Sequence, residues 1–372
     1  MTLLTINSGS TSVKLAAFAR VNAATAPELL RRESLSATPD QAREVIEGFL
    51  GRAGLRPIEA VAHRVVHGGT RFQSATRIDA GVVDALTELC ALAPLHNPVA
   101  LRWIAAARAL FEPHVDQIAV FDTAFFARLP RIATEYALPA SLGSGLGVRR
   151  YGFHGLAHEA MWRRWRQLRP ELTDGGRLIS LQLGGGCSMT AHACGQPLDT
   201  TMGFSPLEGL VMATRSGDVD AAIVPFLAQR RGVTADRIVE ILNRESGLLG
   251  VSGRSSDLRV LLAEASPQAQ LAVDLYCYRA RKYIGAFLAV LGGCEGIVFG
   301  GGVGEHMPQI RERILASLGW AGVALDLGAN AAALGQEACI SAADSRTAVY
   351  VIPVDEEHVL AAAALECIQR SG

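Results

Sequence analysis

An α/β fold made of two related halves is what this chain predicts, and three observations carry the expectation. An apolar strand enters a glycine turn and returns as a second alternating strand at residues 7–14 (NSGSTSVK), and again at 184–188 (GGGCS). Strand-like runs then alternate with amphipathic helical patterns, which points to mixed sheets covered by helices. The length of 372 residues, 49% hydrophobic and 19% charged, is enough for two cores.

The elements follow in order. Residues 3–6 and 15–18 read as strands, because Val13, Leu15 and Ala17 alternate with Lys14, Ala16 and Phe18. Residues 40–52 place Ala42, Val45, Ile46, Phe49 and Leu50 on one helical face. A buried strand over 60–66 ends in His67, Gly68 and Gly69. Pro98 opens a helix to about residue 110, proline being tolerated in a first turn. Strand 118–121 delivers Asp122 to its end, where open α/β sheets place their ligands. The stretch 138–150, with Pro139, Gly143, Gly145 and Gly147, reads as a passage between domains. Strand 178–183 and its hairpin follow, with 188–192 extended before a turn at 194–197. A helix is expected from about 218 and a long one over 267–291. Strands 296–299 and 349–353 and a helix from 356 complete the chain.

Composition narrows the class. A formal net charge of -1 gives no electrostatic reason to expect nucleic acid or an anionic membrane as partner. Seven cysteines, odd in number and without metal-type spacing, fit reduced thiols in a cytoplasm. The start enters a strand at once, so no signal peptide is expected, and no apolar run is long enough to span a bilayer. Lys14 and Lys282 are the only lysines, which makes a lysine inside the first hairpin a candidate point charge for phosphate.

Successive N–H groups around a tight glycine turn form an anion nest, and glycine lets a phosphate approach closely. A Walker-type or dinucleotide loop would need a helix directly after the glycines, and neither hairpin offers one. A third strand-to-glycine run, 297–305 (IVFGGGVGE), adds weight to phosphate binding. Arg64 and Arg215 stand beside glycines in otherwise apolar segments, and the guanidinium fork suits carboxylate and phosphate. His154, in YGFHG, is a candidate donor to a phosphoryl group in transfer. With His158 it also has a zinc-like spacing, though without an evident third ligand, and His158 is read as structural. Asp122 lies among apolar residues and needs a partner there. Asp122, Glu356 and Glu357 are the carboxylates suited to a magnesium held mostly by phosphates and water.

Together these motifs resemble the acetate/propionate/butyrate kinase group, within the actin-like ATPase and sugar kinase superfamily. The resemblance runs nearly end to end through NSGSTSVK, HRVVHGG, PLHNP, FDTAFF, YGFHG, LGGG, MGFSPLEGLVMATRSGD, ESGLLGVSGRSSDLR, GGGVGEH and VIPVDEE. It implies two duplicated ribonuclease H-like domains with an active-site cleft between them, and a homodimer. The expected boundaries are 1–124 with 358–372 for the N-terminal domain and 125–357 for the nucleotide-binding one. The implied reaction is reversible, magnesium-dependent phosphoryl transfer from ATP to acetate, with manganese as a substitute metal.

Carried onto this chain, the resemblance makes Arg64 and Arg215 clamps on carboxylate and transition state, with His154 steadying the phosphoryl group and Asp122 the essential acid. Asn7 and Glu356 fall on the metal side. Adenosine and phosphate contacts fall on Gly184, Gly185 and Gly186, on Asp257, Leu258 and Arg259, and on Gly302, Val303, Gly304, Glu305 and His306, with Gln182, Leu183 and Lys14 counted with them as candidate nucleotide-binding residues. Val66, Leu95, Phe153 and Pro206 correspond to a small acyl pocket, which favours acetate over longer acids. The family's HLGNG turn appears here with Gln182 and Gly185, its GEN as Gly304, Glu305 and His306, and its TNEE as Val354, Asp355, Glu356 and Glu357. Glutamine donates a hydrogen bond but carries no charge. A propionate or butyrate kinase, and a nucleotide-binding module with weakened transfer, are the alternative readings.

Overall fold

Period-two patterning builds the first sheet. In the computed structural model, which describes residues 1–9, 12–20, 26–53, 55, 57–143 and 145–371, the chain divides into two units. Unit 1 comprises Met1–Ala127, Phe153–Ala160 and Asp355–Gly372, and unit 2 comprises Arg128–Gly152 and Met161–Val354. The strands of unit 1 are β1 (Thr2–Ser8), β2 (Ser12–Ala19), β3 (Glu28–Ser36), β4 (Ala60–Val65), β5 (Thr76–Arg77) and β6 (Asp116–Phe121), in the spatial order β3-β2-β1-β4-β6-β5. β2 is antiparallel to β1 and β3, whereas β1, β4 and β6 run parallel. The expected first hairpin is therefore present, although Ser10 and Thr11 at its tip lie outside the described residues.

Alternate residues of these strands feed opposite cores, as the pleat requires. Leu4, Ile6, Leu15 and Val61 pack with Ile46 and Phe49 of the helix Ala42–Ala53 and with Trp103 of the helix Asn97–Leu110. Leu3, Ala16, Ala62, Ile118 and Val120 pack on the other face with Val359, Leu360 and Ala364 of the helix Glu356–Ser371. The apolar spacing read over 40–52 is thus a core-facing helical stripe.

Unit 2 repeats the arrangement with β7 (Leu178–Leu183), β8 (Cys187–Ala193), β9 (Gln196–Thr200), β10 (Gly296–Gly300), β11 (Ala338–Cys339) and β12 (Ala348–Val351), ordered β11-β12-β10-β7-β8-β9. β7 and β8 form the second antiparallel hairpin, and β7, β10 and β12 run parallel. Read from β9 to β11, this is strand for strand the order of unit 1. Each half therefore has the ribonuclease H-like topology. The duplication inferred from two glycine hairpins extends to whole sheets.

Two expectations changed in detail, and the third glycine run took a definite form. The glycine run after β10 is a strand-to-helix turn, since Gly301–His306 is helical and Gly301 turns the chain at φ +75°. The helix expected from Asp218 begins instead at Ile223. Asp218 is engaged elsewhere, accepting from the Gly209 N–H at 2.8 Å and the Tyr283 hydroxyl at 2.7 Å. The stretch 138–150 falls within unit 2 and contains a short helix, Ala140–Gly143. The long helix Pro267–Leu291 is as expected, with Ser266 accepting from the Ala269 N–H at its start and Gly292 left-handed at its end. Among the described residues no helix is long and apolar enough to cross a membrane.

Each sheet buries a histidine. His63 on β4 meets the Gln117 amide oxygen at 2.8 Å, and His192 on β8 meets the Ser180 hydroxyl at 2.8 Å. Burial pushes His63 down from 6.5 to about 4 and His192 to about 3. The unfolded chain takes up these protons near pH 6.5 while the folded chain excludes them, so their contribution to stability is intact above that pH and falls away below it. Each histidine is expected to cost about 1.4 kcal/mol per pH unit between there and its folded value. Chemical denaturation from pH 7 to pH 4.5 measures this slope, which His63→Asn should make shallower by one proton's worth. An unchanged slope in that variant would refute the assignment.

Candidate active site

Parallel β1, β4 and β6 bring their C-terminal ends to one edge of the first sheet, which places Asn7, Arg64 and Asp122 side by side. Arg64 binds Asp122 through two parallel hydrogen bonds, Nε to Oδ1 at 3.0 Å and Nη2 to Oδ2 at 2.7 Å, and gives Nη1 to the Asn7 amide oxygen at 3.0 Å. The Asn7 nitrogen in turn donates to Glu356 Oε2 at 2.7 Å and Glu357 Oε1 at 2.9 Å, at the start of the last helix. Glu356 Oε2 lies 3.8 Å from Arg64 Nη1. Lys14 stands 3.8 Å and Arg32 3.7 Å from the Glu357 carboxylate, and Arg32 also pairs with Asp355. Lys14, expected at a phosphate, thus has an acidic partner within its own unit.

Burial sets the electrostatics of this cluster. It would lower the Arg64 guanidinium, but Asp122 and Glu356 outweigh it and hold the group above its ordinary value. Burial raises Asp122 against the pull of Arg64, with Glu356 adding to the rise. Glu356 ends below the ordinary carboxylate range because Arg64, Lys14 and the Asn7 amide together overcome its own burial. Two carboxylates therefore share one guanidinium. Asp122, Asp355, Glu356 and Glu357 face Lys14, Arg32 and Arg64, which leaves acid in excess.

That donor set of hard oxygens with surplus negative charge fits magnesium. Among the described residues no group of three or more His, Cys, Asp or Glu side chains converges to enclose a metal. The zinc alternative for His154 and His158 gains no third ligand.

His154 is fixed by its backbone. Its N–H bonds the Asp122 carboxylate, and it adopts a left-handed φ of +59°, uncommon for a residue with a side chain. The next residue must be glycine, because a Cβ on Gly155 would lie 1.9 Å from the Asp122 carbonyl oxygen. The YGFHG turn is clasped onto the end of β6. Phe153 is buried with its ring edge-on to His67, 5.5 Å between centroids, and Val66 adjoins it in sequence. Leu95 is 43% exposed. Asn97, two residues on, holds the His67 backbone at both N–H and C=O, at 3.1 and 3.0 Å. Asn97 was not singled out from sequence, although it lies in the PLHNP segment.

Unit 2 carries a second set of residues around a cavity of about 840 Å³, a volume suited to a small-molecule ligand. Gly184 and Gly185 of the β7–β8 turn, Asp257, Leu258 and Arg259, and Gly302, Val303 and His306 form much of its wall. Gln182, Leu183, Gly186, Gly304 and Glu305 are not among the wall residues. Asp257 caps the helix Leu258–Ala263 and binds the Arg259 guanidinium at 2.6 Å. Glu305 accepts from the Gly301 and Val354 N–H groups at 2.9 and 3.1 Å. Gln182 packs against Gly301, and its Oε1 is buried without a hydrogen-bond partner. Ala213, Leu248, Ser256, Leu262, Ala263, Met307 and Gln309 complete the wall, and sequence reading did not select them.

Arg215 lies in the loop that supplies Ala213 to this wall, and the Ala213 N–H bonds the Gly185 carbonyl at 3.1 Å. Its Nη1 donates to the Pro206 carbonyl at 3.2 Å. No described carboxylate pairs with it, and burial pulls its guanidinium below the ordinary value. A half-buried cation without an acid partner carries a desolvation cost, and an incoming anion offsets it.

Known proteins agree with this geometry. A profile of the acetokinase family matches residues 41–362. The acetate kinase of Solibacter usitatus is 45% identical over 318 residues, 84% of this chain and 77% of that protein. The acetate kinase of Chloroherpeton thalassium is 43% identical over 328 residues, 87% and 79% of the two chains. Among solved structures, Porphyromonas gingivalis acetate kinase aligns over 99% of both chains with a TM-score of 0.87 and 34% identity. A propionate kinase from Francisella tularensis aligns over 97% of this chain and 98% of that one with a TM-score of 0.87 and 31% identity. With paired ribonuclease H-like sheets, an arginine–aspartate pair at strand ends and relatives matching over most of its length, this chain belongs to the acetokinase family.

Proposed function

We propose that this protein is an acetate kinase, interconverting ATP and acetate with ADP and acetyl phosphate. The observation that carries the reading is half-buried Arg215, with no acid partner among the described residues, on the loop that walls the nucleotide-sized cavity. Family membership supports ATP and ADP as the nucleotides.

Little general-base chemistry is required. Acetate resembles the Asp and Glu side chains, with a pKa of about 4, so it is already an ionised nucleophile at neutral pH. The barrier lies in bringing that anion onto a polyanionic phosphate. Of the five N–H donors of Arg64, three are taken by Asp122 and Asn7. The two that remain receive the acetate carboxylate, while the Asp122 fork keeps the guanidinium from rotating. Arg215 stabilises charge on the phosphoryl group in transit, and His154, fixed by its backbone bond to Asp122, donates to the same group. The glycine walls let the nucleotide phosphates approach backbone amides.

Glu356 and Asp122 would hold magnesium, with Asn7 orienting Glu356, and the ion would neutralise phosphate charge. Manganese offers the same hard-oxygen chemistry. Val66, Leu95, Phe153 and Pro206 favour acetate as acceptor, and turnover compared across acetate, propionate and butyrate decides chain length. A difference of one methylene is worth only about 1 to 3 kcal/mol, so overlap is expected. The nucleotide donor and seven free cysteines favour a cytoplasmic setting.

A homodimer is the expected assembly. The helix Pro267–Leu291 exposes Leu271, Leu275 and Tyr278 at spacings of four and three, one apolar face. A dimer mass in sedimentation that Tyr278→Glu converts to monomer supports this use of the face. A monomeric parent protein would rule it out.

Incubated with ATP, magnesium, acetate and hydroxylamine, the protein is expected to accumulate acetohydroxamate. Measurable ATP binding with no trapped product would leave a nucleotide-binding module in its place. Arg215→Ala should lower kcat by about a hundredfold or more with little change in KM for ATP. Equal damage to both constants counts against a transition-state role. Arg64→Ala should raise the acetate KM as well as lower kcat, and an unchanged acetate KM would contradict its contact with the carboxylate.

A further inference from the structure

The loop that carries Pro206 is held from behind by a polar cluster that the reaction chemistry does not itself require. The Tyr136 hydroxyl accepts from the Phe204 N–H at 2.8 Å and donates to Glu208 Oε2. Arg150 grips the other Glu208 oxygen at 2.6 Å and also donates to the Thr200 and Thr201 carbonyls, both at 3.1 Å. Its guanidinium lies over the Tyr136 ring, 5.8 Å from the centroid. Gly203 leaves room for this arrangement, since a Cβ there would fall 1.6 Å from Glu208 Oε2 and 2.1 Å from the Tyr136 hydroxyl. One phenol thus ties the two ends of the 204–208 segment together. The carbonyl of Pro206, in the middle of that segment, receives Arg215 Nη1.

We propose that Tyr136, gripped by Glu208 and Arg150, is a positioning residue that sets the 204–208 loop so that the Pro206 carbonyl aims the Arg215 guanidinium. The physical need is specific to Arg215. With no acid partner, its direction is set by neutral acceptors, the Pro206 carbonyl at 3.2 Å and the Met212 sulfur at 3.8 Å. A shift of the Pro206 carbonyl therefore redirects the cation, whereas Arg64 is locked by a two-point carboxylate fork. A misplacement of even about 1 Å of a charged group facing a transition state is costly in rate. Tyr136 touches no reacting atom in this scheme, so its effect reaches turnover only through Arg215. The inference rests on the role assigned above to Arg215.

A double-mutant cycle tests it. Tyr136→Phe removes one hydroxyl and should lower kcat by about tenfold, the size of one well-placed hydrogen bond, with KM for ATP and the melting temperature nearly unchanged. Arg215→Lys keeps a charge and some turnover but loses the planar fork. In that background Tyr136→Phe should cost nothing further. Independent, multiplying losses would overturn the proposal, as would a change confined to KM for ATP. If Arg215→Lys alone leaves kcat intact, it is the assigned role of Arg215 that fails. Should Tyr136→Phe melt early, Glu208→Gln, which keeps one oxygen acceptor, enters the same cycle with the same expected non-additivity.

Discussion

The two-point ion pair between Arg64 and Asp122 is the constraint on which unit 1 depends. It joins the ends of β4 and β6, leaves one guanidinium nitrogen for Asn7 at the end of β1, and puts Glu356 within reach of the same charge. Remove either partner and a buried charge is left without compensation, a penalty far larger than one hydrogen bond. The YGFHG turn depends on the same pair. The His154 N–H is aimed at the Asp122 carboxylate, and Gly155 sits where any side chain would displace the Asp122 carbonyl.

Unit 2 solves a different electrostatic problem on the same topology. Among the described residues Arg215 has no acid partner, and neutral carbonyl and sulfur acceptors direct it. Arg64 is restrained among several acids, with Asp122 in a two-point fork and Glu356 within 3.8 Å. Two copies of one topology thereby hold these two arginines in different electrostatic settings.

Much of this was legible in the amino-acid order. Arg64, Asp122 and Arg215 stood out because charged residues in apolar, glycine-flanked segments need a partner. The hairpins were legible because period-two alternation on either side of glycines excludes a helix. Asn97 was missed because its work is bonding to the His67 backbone, and an asparagine beside a proline has no local signature of that. Tyr136, Arg150 and Glu208 were missed for a related reason: they lie 14 and 58 residues apart along the chain, and each alone has an ordinary composition around it. The cavity wall at Leu248, Leu262 and Met307 was hidden because apolar residues lining a pocket pattern like core.

The sequence alone determined the class of each element, the doubled glycine hairpin and the family, since these depend on local periodicity and on residue types in contiguous motifs. Tertiary structure decided which acids Arg64 meets and that Arg215 faces neutral acceptors, where the helix after Asp218 begins, and which glycine-rich run is a hairpin and which a strand-to-helix turn. Those outcomes depend on partners distant in sequence. The Asp218 carboxylate is drawn to Tyr283 and Gly209, and strand order alone brings Asn7, Arg64 and Asp122 to a common edge. Periodicity carries information about neighbours a few residues away, whereas a salt bridge or a cap is settled by whichever group the fold delivers within about 3 Å.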